Sequence, residues 1–206
     1  MFTGIIQSIG KIKNIIFKKD IYWIYIETSK KFIKNLKIGE SISNNGCCLT
    51  IVNLHKNIIS FHLIKQTIKI TTFKKIKVGD YINLEKPIKV NDPLGGHVVL
   101  GHVTDIGIIT NIINYAFSKI LWIKPNNILQ MNYIFQKGSI CIDGVSLTID
   151  KKLKNKFSVN IIPKTLYKTT LSKKNINNYV NIETDVYTRN TVKTVERLYN
   201  NIKFFK

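Results

Sequence analysis

Two stretches decide the fold: NNGCCLTI at residues 44–51 and IDGVSLTI at residues 142–149. Each runs through a glycine and two small residues into Leu-Thr-Ile, and they stand 142 − 44 = 98 residues apart in a chain of 206. Outward from them, FHLIKQTIKITTF (61–73) faces VNIIPKTLYKTTL (159–171) at the same offset, which pairs Thr67 with Thr165 and Thr71-Thr72 with Thr169-Thr170. VGDYINLE (78–85) faces INNYVNIE (176–183). Upstream, Gly4 and Ile9-Gly10 face Gly101 and Ile106-Gly107, with the offset slipped by one. A register held across separated segments means one domain used twice. The expected organisation is a first domain over 1–94, a second over 95–187 and a terminal segment over 188–206.

The repeated segments are short, rich in Ile, Val, Thr and aromatic residues, and divided by turn signals such as KIGE, KVGD and KLKNK. That spacing reads as all-β, a sandwich or a small barrel in each half. Asn45-Gly46 and Asp143-Gly144 favour turns with positive φ between strands. Side chains alternate along the strand that follows each turn. Cys48 and Thr50 therefore share one face, with Cys47 and Leu49 on the other. Ser146 and Thr148 likewise share a face opposite Val145 and Leu147. The same small polar pair in both copies fits a binding site and a solvated strand edge about equally.

The tail, TRNTVKTVERLYNNIKFF (188–205), has no partner after the first repeat. Val192, Val195, Tyr199 and Ile202 form one apolar stripe of a helix. Thr188 or Asn190 is the expected cap. Between the halves, GGHVVLGHVT (95–104) carries His97 and His102 five residues apart. An odd spacing on one strand puts them on opposite faces. With no Cys or carboxylate cluster beside them, no metal site is expected.

Net charge is +20, from 32 Lys and Arg against 12 Asp and Glu. Such charge invites nucleic acid by counterion release. The lysines, however, are spread along the chain among isoleucines and asparagines, as compositional bias would spread them. No nucleic-acid signature accompanies them, so no nucleic-acid partner is expected. The three cysteines, Cys47, Cys48 and Cys141, make no C-x-x-C pair and no disulfide framework, which suggests a reducing compartment. MFTGIIQSIG lacks the basic and long apolar regions of a leader, and no apolar run is long enough to span a bilayer. A cytoplasmic protein with no membrane association is the expectation.

MFTGII at the start, NGCCLT at 45–50, GGHVVLGHV at 95–103, KGSICIDGVSLT at 137–148 and TVERL in the tail together resemble the riboflavin synthase family of the alpha-chain type, with its lumazine-binding repeats. The resemblance covers the whole chain. It implies two six-stranded Greek-key β-barrels and a C-terminal helix that helps form a homotrimer. It implies the last step of riboflavin biosynthesis: two molecules of 6,7-dimethyl-8-(1-D-ribityl)lumazine dismutate to riboflavin and 5-amino-6-(D-ribitylamino)uracil, with no cofactor. Association with lumazine synthase belongs to the same expectation. A reaction between two identical molecules suits two similar half-sites, each active site forming where one subunit's N-terminal barrel meets a neighbour's C-terminal barrel.

Matched motif by motif, the resemblance implies a first half-site of Gly4, Ile5 and Ile6, Cys48, Leu49 and Thr50, and His62, Leu63, Ile64, Lys65, Gln66 and Thr67. The second takes Gly101, His102 and Val103, Lys137, Ser146, Leu147 and Thr148, and Ile161, Ile162, Pro163, Lys164, Thr165 and Leu166. Cys48, His102, Ser146, Thr148 and Asp185 are the implied catalytic candidates. The chemistry needs a ring methyl deprotonated and a nucleophile added to the partner ring, and a histidine exchanges protons in both directions near neutral pH. Three positions depart from the family pattern. Gln66 and Lys164 stand where an acidic residue is usual, and His62 where an aspartate is common. The alternative function is a non-catalytic lumazine- or flavin-binding relative of the same fold.

Overall fold

The computed structural model describes residues 1–204, with side chains through residue 201. Among the described residues, twelve strands form two closed antiparallel barrels. The first holds β1 (Ser8–Lys18), β2 (Ile21–Glu27), β3 (Ser41–Asn44), β4 (Cys47–His55), β5 (Ile58–Ile64) and β6 (Tyr81–Glu85). The second holds β7 (Asp105–Asn114), β8 (Lys119–Pro125), β9 (Ser139–Ile142), β10 (Val145–Lys152), β11 (Phe157–Ile161) and β12 (Tyr179–Thr184). Around the first the order is β1-β2-β5-β4-β3-β6, and the second repeats it as β7-β8-β11-β10-β9-β12. The jump from β2 to β5 is the Greek-key connection. Of the two architectures open in the sequence, sandwich or barrel, each half takes the barrel. Among the described residues there are also four α-helices: α1 (Lys30–Ile33), α2 (Lys65–Ile70), α3 (Pro163–Lys168) and α4 (Val186–Phe204).

Alternation builds each core. Along β4, Cys47, Leu49 and Ile51 are buried while Cys48 and Thr50 are not, and β10 repeats this with Val145, Leu147 and Ile149 inside. Ile24, Ile26, Phe61 and Ile82 fill the first barrel, and Leu121, Ile123, Phe157 and Ile182 the second. Register shifts fall at matching places, between Ile12 and Asn14 and between Ile51 and Asn53 in one barrel, Ile109 and Asn111 and Ile149 and Lys151 in the other. Each adds a residue to one strand, and the extra bend and twist help the sheet close.

The β3–β4 and β9–β10 turns have the positive φ that their sequences demand: +47° and +79° at Asn45 and Gly46, +46° and +82° at Asp143 and Gly144. The two tips meet on a pseudo-two-fold axis. A Cβ on either glycine would lie 2.8 Å from the backbone nitrogen of the other. Around them lies a buried amide network. The Asn83 side chain donates to the Asp143 carbonyl at 2.9 Å and accepts from the Thr170 N–H at 2.8 Å. Asn181 mirrors it, donating to the Asn45 carbonyl at 2.8 Å and accepting from the Thr72 N–H at 2.7 Å.

Helix α4 begins earlier than the cap expected at Thr188 or Asn190. Asp185 caps it, its Oδ2 accepting from both the N–H and the hydroxyl of Thr188 at 2.7 Å. Aspartate outranks threonine as a cap because its short carboxylate reaches the free N–H groups of the first turn. The helix packs on the 3₁₀ turn Ile128–Tyr133. Val192 is half-buried, whereas Val195, Leu198 and Tyr199 are exposed. Ile202, the last member of the expected stripe, lies outside the described side chains. Among the described residues no helix is long and apolar enough to cross a membrane.

The symmetry breaks at a buried charge. Asp143 stands where the first repeat has Asn45, and its Oδ2 meets Lys174 Nζ at 2.7 Å. At the matching position the first repeat has Ile76. Removing one partner of a buried pair strands the other charge, so Lys174→Met should cost about 3–5 kcal/mol in urea unfolding. The double substitution Asp143→Asn with Lys174→Ile, which copies the first repeat, should recover most of that loss.

Candidate active site

The segment ahead of each barrel crosses to the other one. Phe2 and Val99 exchange backbone hydrogen bonds at 2.7 and 3.1 Å across the axis. Past that bridge the Gly4 carbonyl accepts from Ser146 N–H at 2.8 Å, and the Gly101 carbonyl from Cys48 N–H at 2.9 Å. Only glycine fits at both points. Their φ values are +77° and +79°, and a Cβ would fall 2.5 Å from Ser146 Cβ or 2.6 Å from Cys48 Cβ. Ile6 is buried in the second barrel's core, and Val103 packs on the first barrel's.

The grouping expected from the motifs is therefore exchanged. Gly4, Ile5 and Ile6 border Ser146, while Gly101, His102 and Val103 border Cys48. Sequence similarity within a repeat carries no information on which copy a segment docks against, because the two docking strands present the same pattern.

Each crossing segment is held by a buried glutamate on the last strand of its neighbouring barrel. Glu85 Oε1 accepts from the Thr3 N–H at 2.7 Å and the Thr3 hydroxyl at 2.6 Å, and Oε2 from the Gly4 N–H at 3.1 Å. Glu183 Oε1 accepts from Leu100 N–H at 2.7 Å, and Oε2 from Gly101 N–H at 3.0 Å and His102 N–H at 3.1 Å. Burial raises both carboxyls. Glu183 is pushed up to about 7, although its N–H donors and the Arg189 charge pull the other way. Neither glutamate was among the residues expected in the site. They lie at the ends of the aligned segments YINLE and YVNIE, which look like ordinary strands in sequence.

The polar pairs face as alternation requires. Cys48 and Ser146 are half-buried, Thr50 and Thr148 exposed, and Cys47 is buried. Burial, reinforced by the neighbouring Cys48 and Glu183 side chains, pushes the Cys47 thiol up to about 12, so it stays a thiol at neutral pH. His102 is exposed beside the Cys48 contact. Lys137 is exposed, with φ +67°. Its N–H bonds the Ile149 carbonyl at 2.8 Å, next along β10 from Thr148.

Leu49, Leu63, Leu147 and Ile161 are buried in the cores, so only their backbones are available to a ligand. Ile64 and Ile162 are exposed at 57% and 58%, apolar surface that a flat ring can cover. Ile5, Lys65, Gln66, Pro163 and Lys164 are exposed, while Thr67, Thr165 and Leu166 are half-buried. The His62 ring packs on Trp23, centroids 3.8 Å apart. Asp185 has one oxygen committed to capping α4.

His97, for which no metal site was expected, bonds a predicted site residue. Its Nδ1 lies 2.7 Å from Ser146 Oγ. Burial lowers its pKa while the nearby Asp185 charge favours the imidazolium. The repeat comparison begins at Gly4 and Gly101 and so stops short of it; the signal available was its place in GGHVV.

A carboxyl raised on folding stabilises the native state fully below its ordinary value of 4.5 and loses that stabilisation as pH rises through about 7. Unfolding free energy should therefore fall from pH 4.5 to 7, with Glu183 contributing on the order of 3 kcal/mol. Urea titrations at intervals of pH on the wild type and Glu183→Gln check this. The variant should show the shallower slope.

The Lumazine binding domain family matches residues 3–87 and again residues 100–185. The chain is 43% identical over 198 residues to the riboflavin synthase of Buchnera aphidicola subsp. Schizaphis graminum, covering 96% of this chain and 95% of the relative. It is 39% identical to that of Escherichia coli, covering 96% and 93%. Among solved structures, LumP complexed with riboflavin superposes with a TM-score of 0.83 at 29% identity, covering 89% of this chain and all but 1% of the other. LumP with 6,7-dimethyl-8-(1'-D-ribityl)lumazine gives 0.80 at 28%. A duplicated barrel, paired polar strands closed by exchanged glycines, and full-length relatives of one kind agree: the chain belongs to the riboflavin synthase family of lumazine-binding repeat proteins.

Proposed function

We propose that the protein is a riboflavin synthase, converting two molecules of 6,7-dimethyl-8-(1-D-ribityl)lumazine into riboflavin and 5-amino-6-(D-ribitylamino)uracil. The observation that carries this is the duplicated half-site. Cys48 with Thr50, and Ser146 with Thr148, each face outward beside a glycine segment from the other repeat. Two equivalent surfaces suit two identical reactants. The four-carbon unit lost by one lumazine is gained by the other, so atoms and electrons balance without an external oxidant. Holding both rings replaces a bimolecular encounter, an effect worth up to about 7–11 kcal/mol.

The half-sites differ in their ionisable groups, which supports different roles for the two bound molecules. The first has the Cys48 thiol and His102. The second has the Ser146 hydroxyl on His97, with Lys137 and Asp185 close by. Histidine is suited to take the proton from a ring methyl and return it. Hydroxyls of Thr50 and Thr148 suit the ribityl chain. Gln66 retains hydrogen-bonding capacity toward a hydroxyl, whereas Lys164 reverses the usual charge.

The active protein is a cytoplasmic homotrimer in this reading. Support comes from the exposed Val195, Leu198 and Tyr199 on α4, from the open half-sites, and from three free cysteines. Lumazine synthase is the partner that the family resemblance implies.

Purified protein incubated with the lumazine alone should develop riboflavin fluorescence. Binding without product would make it a non-catalytic member of the fold. Cys48→Ala should lower kcat about tenfold or more, equivalent to about 1.4 kcal/mol of barrel-site stabilisation of the transition state. Cys47→Ala should leave kcat within about twofold and act on stability instead, by about 1 kcal/mol. Equal kinetics for the two would overturn the assignment of faces. Removing residues 186–206 should leave a monomer in sedimentation; a trimer would show that the helix is not what joins the subunits.

A further inference from the structure

Each crossing segment is a peptide run held from two sides. Its carbonyl side bonds the strand that carries the polar pair: Gly101 to Cys48 on β4, Gly4 to Ser146 on β10. Its N–H side converges on one buried carboxylate, where consecutive amides form an anion-binding concavity. Residues 100–103 lie outside the named strands, so the glutamate supplies an anchor that a sheet ladder would otherwise provide. The anchors are crossed. Glu183 belongs to the second barrel and grips the segment docked at Cys48 of the first. Glu85 belongs to the first and grips the segment docked at Ser146 of the second.

We propose that Glu183 and Glu85 are positioning residues acting between barrels, each setting the geometry of the half-site on the barrel that it does not belong to. The inference rests on the function proposed above for its kinetic consequence, but its structural part is tested without turnover.

Both clamps are acceptors only. Glu183 faces three backbone N–H groups, and Glu85 faces the Thr3 and Gly4 N–H groups with the Thr3 hydroxyl. A backbone N–H cannot accept a hydrogen bond, so an amide NH₂ in place of either oxygen opposes at least one N–H in each clamp. Glu183→Gln therefore loosens the segment docked at Cys48, and Glu85→Gln the segment docked at Ser146.

Cys48 reports on the first half-site, since Cys47 and Cys141 are buried. Alkylation of the folded full-length protein with iodoacetamide, followed by mass mapping, should run several-fold faster at Cys48 in Glu183→Gln than in the wild type. It should be unchanged in Glu85→Gln. In kinetics, Glu183→Gln and Glu85→Gln should each lose about tenfold in kcat, since each disturbs one of the two half-sites. Thermal unfolding identifies any variant that does not fold. Should Glu183→Gln fail to fold, Glu183→Asp, which keeps the charge but shortens the reach, is read in the same way. Equal Cys48 reactivity in the wild type and the folded Glu183 variant overturns the proposal, as does an equal rise in both glutamate variants. A wild type that makes no riboflavin removes the kinetic arm alone and leaves the alkylation pattern to decide.

Discussion

Two side-chain amides carry the assembly of this molecule. Asn83 and Asn181 are fully buried, and each joins the other barrel's hairpin tip to a 3₁₀ turn of that barrel, Thr170–Lys173 for Asn83 and Thr72–Lys75 for Asn181. A buried amide left without partners costs about 1–3 kcal/mol per group. Here the donor and the acceptor of each are both used, and both bonds reach across the axis. The tips that they hold approach so closely that neither tolerates a side chain at its glycine. Two barrels that could otherwise pivot about a linker are thereby set in one orientation.

That orientation makes the exchange of segments possible. With the axis fixed, Phe2 and Val99 lie side by side and pass the chain ends to opposite barrels. Gly4 and Gly101 then dock on Ser146 and Cys48 at backbone distance. Each half-site is composite, with its polar strand from one repeat and its peptide edge from the other. The arrangement concentrates buried acidic groups near the axis: Glu85, Glu183 and Asp143, each partnered by N–H groups, a hydroxyl or Lys174. Burial of ionisable groups is costly unless they are paired, so these partners are part of the design of the site.

The surface charge has a different origin. Lys119 is buried, its ammonium donating to the Ser172 and Lys174 carbonyls at 3.0 Å, but most lysines sit on the surface, several over aromatic rings: Lys75 lies 3.5 Å from the centroid of Tyr179, and Lys173 4.0 Å from that of Tyr81. These contacts are themselves related by the pseudo-two-fold axis. Long side chains lay their stems on apolar surface while keeping the charge in water, which lets a strongly basic sequence keep the same fold.

Much of the architecture was legible from the chain alone. Strand alternation has a period of two and is a local property, so the outward Cys48/Thr50 and Ser146/Thr148 pairs could be read directly. Asn-Gly and Asp-Gly announce their own turns, and the duplication is visible as register. Tertiary structure alone decided what docks on what. Both copies carry the same local signals, so a glycine segment matches either barrel equally well until the axis is set by long-range amide bonds. The same reason hid His97, whose role comes from a serine 49 residues away, and the two glutamates, whose partners lie about 80 residues upstream. Asp185 was visible as a site candidate, but its capping of α4 depends on where the last strand ends. Patterning determined the elements; contacts between distant, nearly interchangeable copies decided the site.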